Sequence, residues 1–198
     1  MKQTAIFFLV DQYADWEGAY LSALLNRSEQ WTIKTAALQD EVTSIGGFTT
    51  KVDYRLADLP EQAELFVLIG GNTWDFENEQ LKSRVKRDLE NGVVVGAICG
   101  AVDYLAKNGL LTSYAHTGNT IFFWSDYSNY TNPADFIEQQ AVRDRNLVTA
   151  NGTAPLEFTE QLLLALDFDT AEEVEKTVAM YRLGYYQYCE TYGNPYLS

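Results

Sequence analysis

Val93-Val94-Val95-Gly96-Ala97-Ile98-Cys99-Gly100-Ala101 reads as a buried strand running into a sharp turn. Val102-Asp103-Tyr104-Leu105-Ala106-Lys107-Asn108-Gly109 reads as a helix that closes at its glycine. The continuous apolar run is that of a strand covered on both faces. The residues around the cysteine are small: Ala97, Gly100 and Ala101. A strand-to-helix elbow needs such neighbours, because the turn has no room for bulk. A thiol there stands at a helix N-terminus, where backbone N–H groups and the helix dipole favour thiolate. Cys99 is therefore the candidate nucleophile; the alternative is an inert buried cysteine.

The elbow has strand neighbours on both sides in sequence. Ala5 to Val10 is a first continuous apolar run, and a helix is expected from about Trp16 to Asn26. Trp31 to Leu38 forms a second strand. Gly46-Gly47, between Val42–Ile45 and Phe48–Val52, reads as a hairpin turn. Leu65 to Ile69 is another buried strand, ending in Gly70-Gly71. A helix then carries Leu81, Val85 and Leu89 at i, i+4 and i+8 and stops at Gly92. After the elbow helix the pattern predicts a short strand, Leu110 to Tyr114. A long polar and aromatic loop extends to Asp135, and Leu147 to Ala150 forms a late strand. Thr153 and Pro155 open a helix with Phe158, Leu162 and Leu166. Thr170 with Glu173 opens another as a capping box, and its continuation carries Tyr181, Tyr185, Tyr188 and Tyr192 as one stripe.

Strands alternating with helices predict an α/β fold, a three-layer sandwich around a mostly parallel, flavodoxin-like sheet. Sites in such sheets lie at the carboxyl ends of strands, where Asp11, Gly70-Gly71 and Cys99 all stand. The glycines let backbone N–H groups approach a ligand closely. With the N–H of Gly100, those of Gly70 and Gly71 are expected to form an oxyanion hole.

The chain has 198 residues, of which 46% are hydrophobic and 21% charged, the makeup of an ordinary globular domain. No linker, repeat or low-complexity tract divides it, so one domain over residues 1–198 is expected, with C-terminal helices over 154–193. With 28 acidic against 14 basic residues the net charge is -14, which repels phosphate backbones. No nucleic acid and no membrane are therefore expected as partners. Two cysteines, Cys99 and Cys189, make no disulfide framework. With His116 the single histidine, no metal is expected, and no other cofactor. The N-terminal apolar run is too short for a secretory signal or a membrane span, and a cytoplasmic protein is expected. Cys189, set among tyrosines, reads as a packed residue, and the tyrosine stripe as core or subunit interface.

The chain resembles the DJ-1/PfpI (ThiJ) superfamily, which has the class I glutamine amidotransferase-like fold. The residues that carry the resemblance are Leu68-Ile69-Gly70-Gly71-Asn72-Thr73-Trp74, Ala97-Ile98-Cys99-Gly100-Ala101 and Ala150-Asn151-Gly152-Thr153-Ala154-Pro155-Leu156-Glu157-Phe158. Ala115-His116-Thr117-Gly118-Asn119 matches a bacterial subgroup. The resemblance implies that Glu17, carried by the first helix, shares a proton with Cys99. A buried carboxyl facing a thiolate has its own pKa raised. Asp15 is the competing carboxylate. The resemblance also implies a histidine near the cysteine, which makes His116 the candidate general base, and a homodimer. Two departures stand out. No histidine follows His116, so the late His-x-Glu pair of the amidotransferases is missing. Gly100 stands where the protease-like members have histidine.

These observations predict a cysteine-dependent enzyme acting on a small-molecule substrate, an electrophilic carbonyl compound, in a hydrolase-, glyoxalase- or deglycase-like manner. Catalytic Cys99, Glu17 and His116 would work with an oxyanion cradle of Gly70, Gly71 and Gly100. The alternatives are a redox-sensing or stress-response protein that uses an oxidisable Cys99, and a non-catalytic binding module.

Overall fold

The computed structural model describes residues 2–197. A seven-stranded sheet runs through the centre, in the order β5-β2-β1-β6-β7-β9-β8. Its strands are β1 (Gln3–Phe8), β2 (Trp31–Ala37), β5 (Tyr54–Arg55), β6 (Leu65–Leu68), β7 (Val94–Ile98), β8 (Ala141–Asp144) and β9 (Leu147–Ala150). All pairings are parallel except that of β8 with β9. A separate hairpin, β3 (Glu41–Thr43) with β4 (Thr49–Lys51), turns at Gly46-Gly47 as expected.

The apolar runs are continuous because both sheet faces are covered. On β1, Ile6 and Phe8 point into one core, and Ala5 and Phe7 into the other. The first core is closed by α2 (Glu79–Glu90), through Leu81, Val85 and Leu89, and by α3 (Gly100–Lys107), through Val102 and Leu105. The second is closed by α1 (Ala19–Arg27), α4 (Pro155–Ala165) and α5 (Ala171–Leu183), through Leu21, Leu25, Phe158, Leu162 and Val174. This is the three-layer α/β sandwich expected.

Phe8 pairs with Leu68, Leu68 with Ala97, and Ala97 with Thr149. The register brings the carboxyl ends of β1, β6, β7 and β9 to one edge. The segments that follow these four strands, which contain Asp11–Glu17, Gly70-Gly71, Cys99 and Asn151-Gly152, form the rim there.

Several local expectations need correction. The first helix begins at Ala19, so Glu17 lies in the turn before it; the Glu17 N–H closes that turn on the Ala14 carbonyl at 3.2 Å. No strand forms over Leu110–Tyr114. Gly109, at φ +69°, donates to the Ala106 carbonyl, and Leu110 donates to the Leu105 carbonyl. That pair of bonds is a Schellman closure, which ties Leu110 to the end of α3 instead of to the sheet. The tyrosine stripe is broken at Gly184, at φ +76°, where α5 stops and α6 (Tyr185–Tyr192) starts. Thr170 caps α5 by accepting from the Glu173 N–H, as its capping box required. Cys189 is half-buried on α6. No described helix is long and apolar enough to cross a membrane.

Candidate active site

Cys99 has φ +58° and ψ −129°, a conformation that non-glycine residues avoid. Such strain costs on the order of 1–3 kcal/mol and persists only where the surroundings impose it. Here the Cys99 N–H donates to the Ala150 carbonyl at 2.9 Å, and its carbonyl accepts from Val102 at 2.9 Å. Sheet and helix thus hold the residue from both sides, and the half-buried side chain is thrust out at the rim.

Glu17 meets it there. This carboxyl is 1% exposed. Its Oε2 accepts from the Gly70 N–H at 2.8 Å, while Oε1 has no aligned hydrogen-bond partner among the described residues. The spacing is tight. A Cβ on Gly70 would stand 2.5 Å from both Cys99 Cβ and Glu17 Oε2. A Cβ on Gly152 would stand 2.8 Å from Cys99 Sγ and 3.2 Å from Glu17 Oε1. Both positions must be glycine for carboxyl and thiol to face each other.

Burial raises the Glu17 pKa to about 7, against the opposing pull of Cys99 and the Gly70 N–H. The Cys99 thiol is also pushed up, first by burial and then by the Glu17 carboxylate; the Asn119 amide and the Gly100 N–H act in the other direction. The helix N-terminus was expected to lower the thiol pKa, and that expectation is corrected. Desolvation and a neighbouring negative charge outweigh the dipole, and among the described residues no basic side chain bonds the pair. Burial thus makes both groups hold their protons more tightly than a free carboxyl and a free thiol do.

The oxyanion cradle is smaller than the sequence suggested. Gly70 spends its N–H on Glu17, so it cannot also serve an oxyanion. The Gly100 N–H acts on the Cys99 sulfur itself. None of the described hydrogen bonds uses the Gly71 N–H.

His116 stands elsewhere. It is 0% exposed, and both ring nitrogens are engaged: Nδ1 with the Tyr114 carbonyl at 2.7 Å, Nε2 with the Tyr130 hydroxyl at 2.8 Å. A carbonyl only accepts, so Nδ1 carries the hydrogen and Nε2 accepts from Tyr130. Trp124, Tyr130 and Phe136 pack around the ring. Burial lowers its pKa, against the Tyr114 carbonyl and Asp135. The general base expected at His116 is thus a neutral imidazole bonded away from the thiol. Asp15 is also turned aside; its carboxylate accepts from the Gly46 N–H of the hairpin turn at 2.8 Å.

The side chain that does reach the sulfur is Asn119. Its Nδ2 lies 3.3 Å from Cys99 Sγ, and its Oδ1 accepts from the Gly152 N–H at 2.9 Å. The Trp16 indole N–H donates to the Gly152 carbonyl at 3.2 Å. None of the three was singled out as a site residue. Gly152 and Asn119 both lie in segments that carry the family resemblance, but nothing in either segment gave them a role beside the sulfur. Asn119, with Thr117, Phe136, Gln139 and Asn151, lines a cavity of about 430 Å³, within the usual range of small-ligand sites. A smaller one of about 180 Å³ opens beside Gly71 and Gly100. Among the described residues no three His, Cys, Asp or Glu side chains cluster as metal ligands do.

The model of the DJ-1/PfpI family matches residues 3–165. A Bacillus subtilis (strain 168) protein named "Uncharacterized protease YdeA" is 51% identical over 194 residues, covering 98% of each chain. The crystal structure of a thiJ/pfpI family protein from Bacillus anthracis superposes with a TM-score of 0.87 at 31% identity, covering 95% of each chain. A DJ-1 superfamily protein from Agrobacterium tumefaciens superposes with a TM-score of 0.84 at 30% identity, over 91% of this chain and 98% of its own. The elbow cysteine, the glutamate held on a glycine amide and these likenesses agree: the chain belongs to the DJ-1/PfpI family.

Proposed function

We propose that this protein is a cysteine-dependent enzyme that adds the Cys99 thiol to a small electrophilic carbonyl compound. The observation that carries this reading is Glu17 Oε1, a buried oxygen without an aligned partner beside a thiol on a strained elbow. Sγ attacks the carbonyl carbon, an S–C bond forms, and the π pair moves to oxygen. Glu17 takes the thiol proton and returns it to that oxygen, while the Gly100 N–H faces the developing charge. A group that titrates near 7 suits both halves of this transfer.

Peptide cleavage, which the name of the Bacillus subtilis relative suggests, is less well supported. Gly100 stands where the protease-like members have histidine, and the one imidazole of the chain is bonded at both nitrogens elsewhere, so Glu17 alone would have to serve both the thiol and an amine leaving group. Addition to an aldehyde or ketone expels no leaving group. In an α-oxoaldehyde the adduct then becomes a thioester as its carbon-bound hydrogen moves to the neighbouring carbonyl carbon, and water cleaves the S–C bond to release an α-hydroxy acid and the free thiol. Turnover of a panel of small α-oxoaldehydes, methylglyoxal among them, tests the reading. Cys99→Ser should lose on the order of 10²-fold or more in kcat/KM. Equal turnover by Cys99→Ser would contradict it.

A second reading is sensing by oxidation of Cys99. It is favoured by the spare Glu17 oxygen and the Asn119 amide, both placed to hold a sulfur-bound oxygen. Intact mass after mild peroxide separates the two: oxidation confined to Cys99 without carbonyl turnover supports sensing.

A further inference from the structure

We propose that Asn119 is the positioning residue of this site, presenting a fixed hydrogen-bond donor to the Cys99 sulfur. The proposal rests on the reading of Cys99 as the nucleophile and adds a residue to it.

The orientation of a side-chain amide is settled by its partners. The Gly152 N–H can only donate, and it lies 2.9 Å from one end of the Asn119 amide. That end is the oxygen. The nitrogen is then the end that lies 3.3 Å from Sγ. Gly152 is itself held: the Trp16 indole N–H, also a donor only, lies 3.2 Å from its carbonyl. The peptide groups on both sides of Gly152 are thereby pinned, and its α-carbon is packed so near the sulfur that a Cβ would stand 2.8 Å away. Asn119 is exposed, so its amide is not frozen by packing, and the Gly152 bond sets its direction.

The site needs such a donor. The titratable group facing the sulfur from the turn before α1 is Glu17, an acid. The Gly70-Gly71 segment brings no side chain. On α3, Asp103 turns its carboxylate to the Trp124 indole N–H at 2.6 Å. His116 is engaged with Tyr114 and Tyr130. Asn151, from the segment after β9, bonds Gln140. A negative sulfur is left with the Gly100 N–H and Asn119 Nδ2.

The test is the pH dependence of Cys99 alkylation by iodoacetamide, followed by intact mass, in Asn119→Asp and Asn119→Ala. Asn119→Asp keeps an oxygen for the Gly152 N–H but turns a carboxylate toward the sulfur. Asn119→Ala loses both bonds. A positioning donor places the thiol pKa in the order Asp above Ala above wild type. Asn119→Asp should react roughly tenfold more slowly below its pKa, the equivalent of about one unit. A residue that only braces the loop gives the reverse order, with Ala the worse. That reversal, or no shift in either variant, overturns the proposal. Should neither Asn119 variant fold, Trp16→Phe decides: it frees the Gly152 carbonyl, and the thiol pKa should rise by a smaller amount, with no change again overturning the proposal. Alkylation needs no substrate, so the two readings fail separately. Missing carbonyl turnover with the order intact sinks only the enzyme.

Discussion

Two polar centres of the molecule, at His116 and at Cys99, differ in how completely they are bonded. At His116 both ring nitrogens have partners and three aromatic rings close the shell. At Cys99 the backbone is strained, one buried carboxyl oxygen has no aligned partner, and two cavities open nearby. The first centre has nothing left to offer a ligand. The second has spare capacity, held at a cost that only the surrounding fold can sustain. Histidine is the commoner catalytic side chain, yet here the leftover bonding, and not the residue type, marks the site.

The comparison breaks most visibly at Gly70. Its Cβ would fall 2.5 Å from Cys99 Cβ and Glu17 Oε2, and 2.6 Å from the Ile98 carbonyl. None of these can retreat cheaply, so Gly70→Ala is expected to destabilise by about 3 kcal/mol or more and to separate thiol from carboxyl. Urea denaturation measures the first effect and alkylation of Cys99 the second.

A smaller loss is expected at the satisfied centre. His116→Leu takes the acceptor from the Tyr130 hydroxyl and leaves the Tyr114 carbonyl with only the 3.4 Å bond from the Asn132 amide, at about 2–3 kcal/mol. Rates at Cys99 should be unchanged in the folded variant; a large fall in kcat/KM would show that the imidazole does take part. The pH dependence carries a definite sign. The folded-state pKa of His116 lies below its ordinary 6.5, so wild-type stability falls as pH drops through and below that value, where the unfolded chain takes up the proton first. The leucine variant removes that decline, and thermal melting across this range reads it.

The same contrast explains what could be read in advance. Strands β1, β6, β7 and β9 were legible because burial on both faces leaves continuous apolar runs. β8, with Arg143 and Asp144 on a sheet edge, carries no such signal, since edges are kept short and charged. The strand expected at Leu110–Tyr114 failed because a helix closure claims Leu110 before the sheet can. Cys99 was legible from its small neighbours. Glu17 was an acid like any other until the family resemblance pointed to it. Asn119 stayed hidden because its role exists only through Gly152, 33 residues on. His116 was misread because nothing local shows that Tyr130 and Tyr114 occupy its ring.

The claim that matters most is that Glu17 and Cys99 act on the same proton. Iodoacetamide alkylation of Cys99 across pH, in wild type and in Glu17→Gln, addresses it without any knowledge of substrate. In wild type, loss of the first proton near pH 7 lets the remaining one move between carboxyl and thiol, so reactivity should rise through an inflection at about 7. In Glu17→Gln that inflection should vanish, leaving one rise governed by the buried thiol alone. Two superimposable profiles would contradict the account.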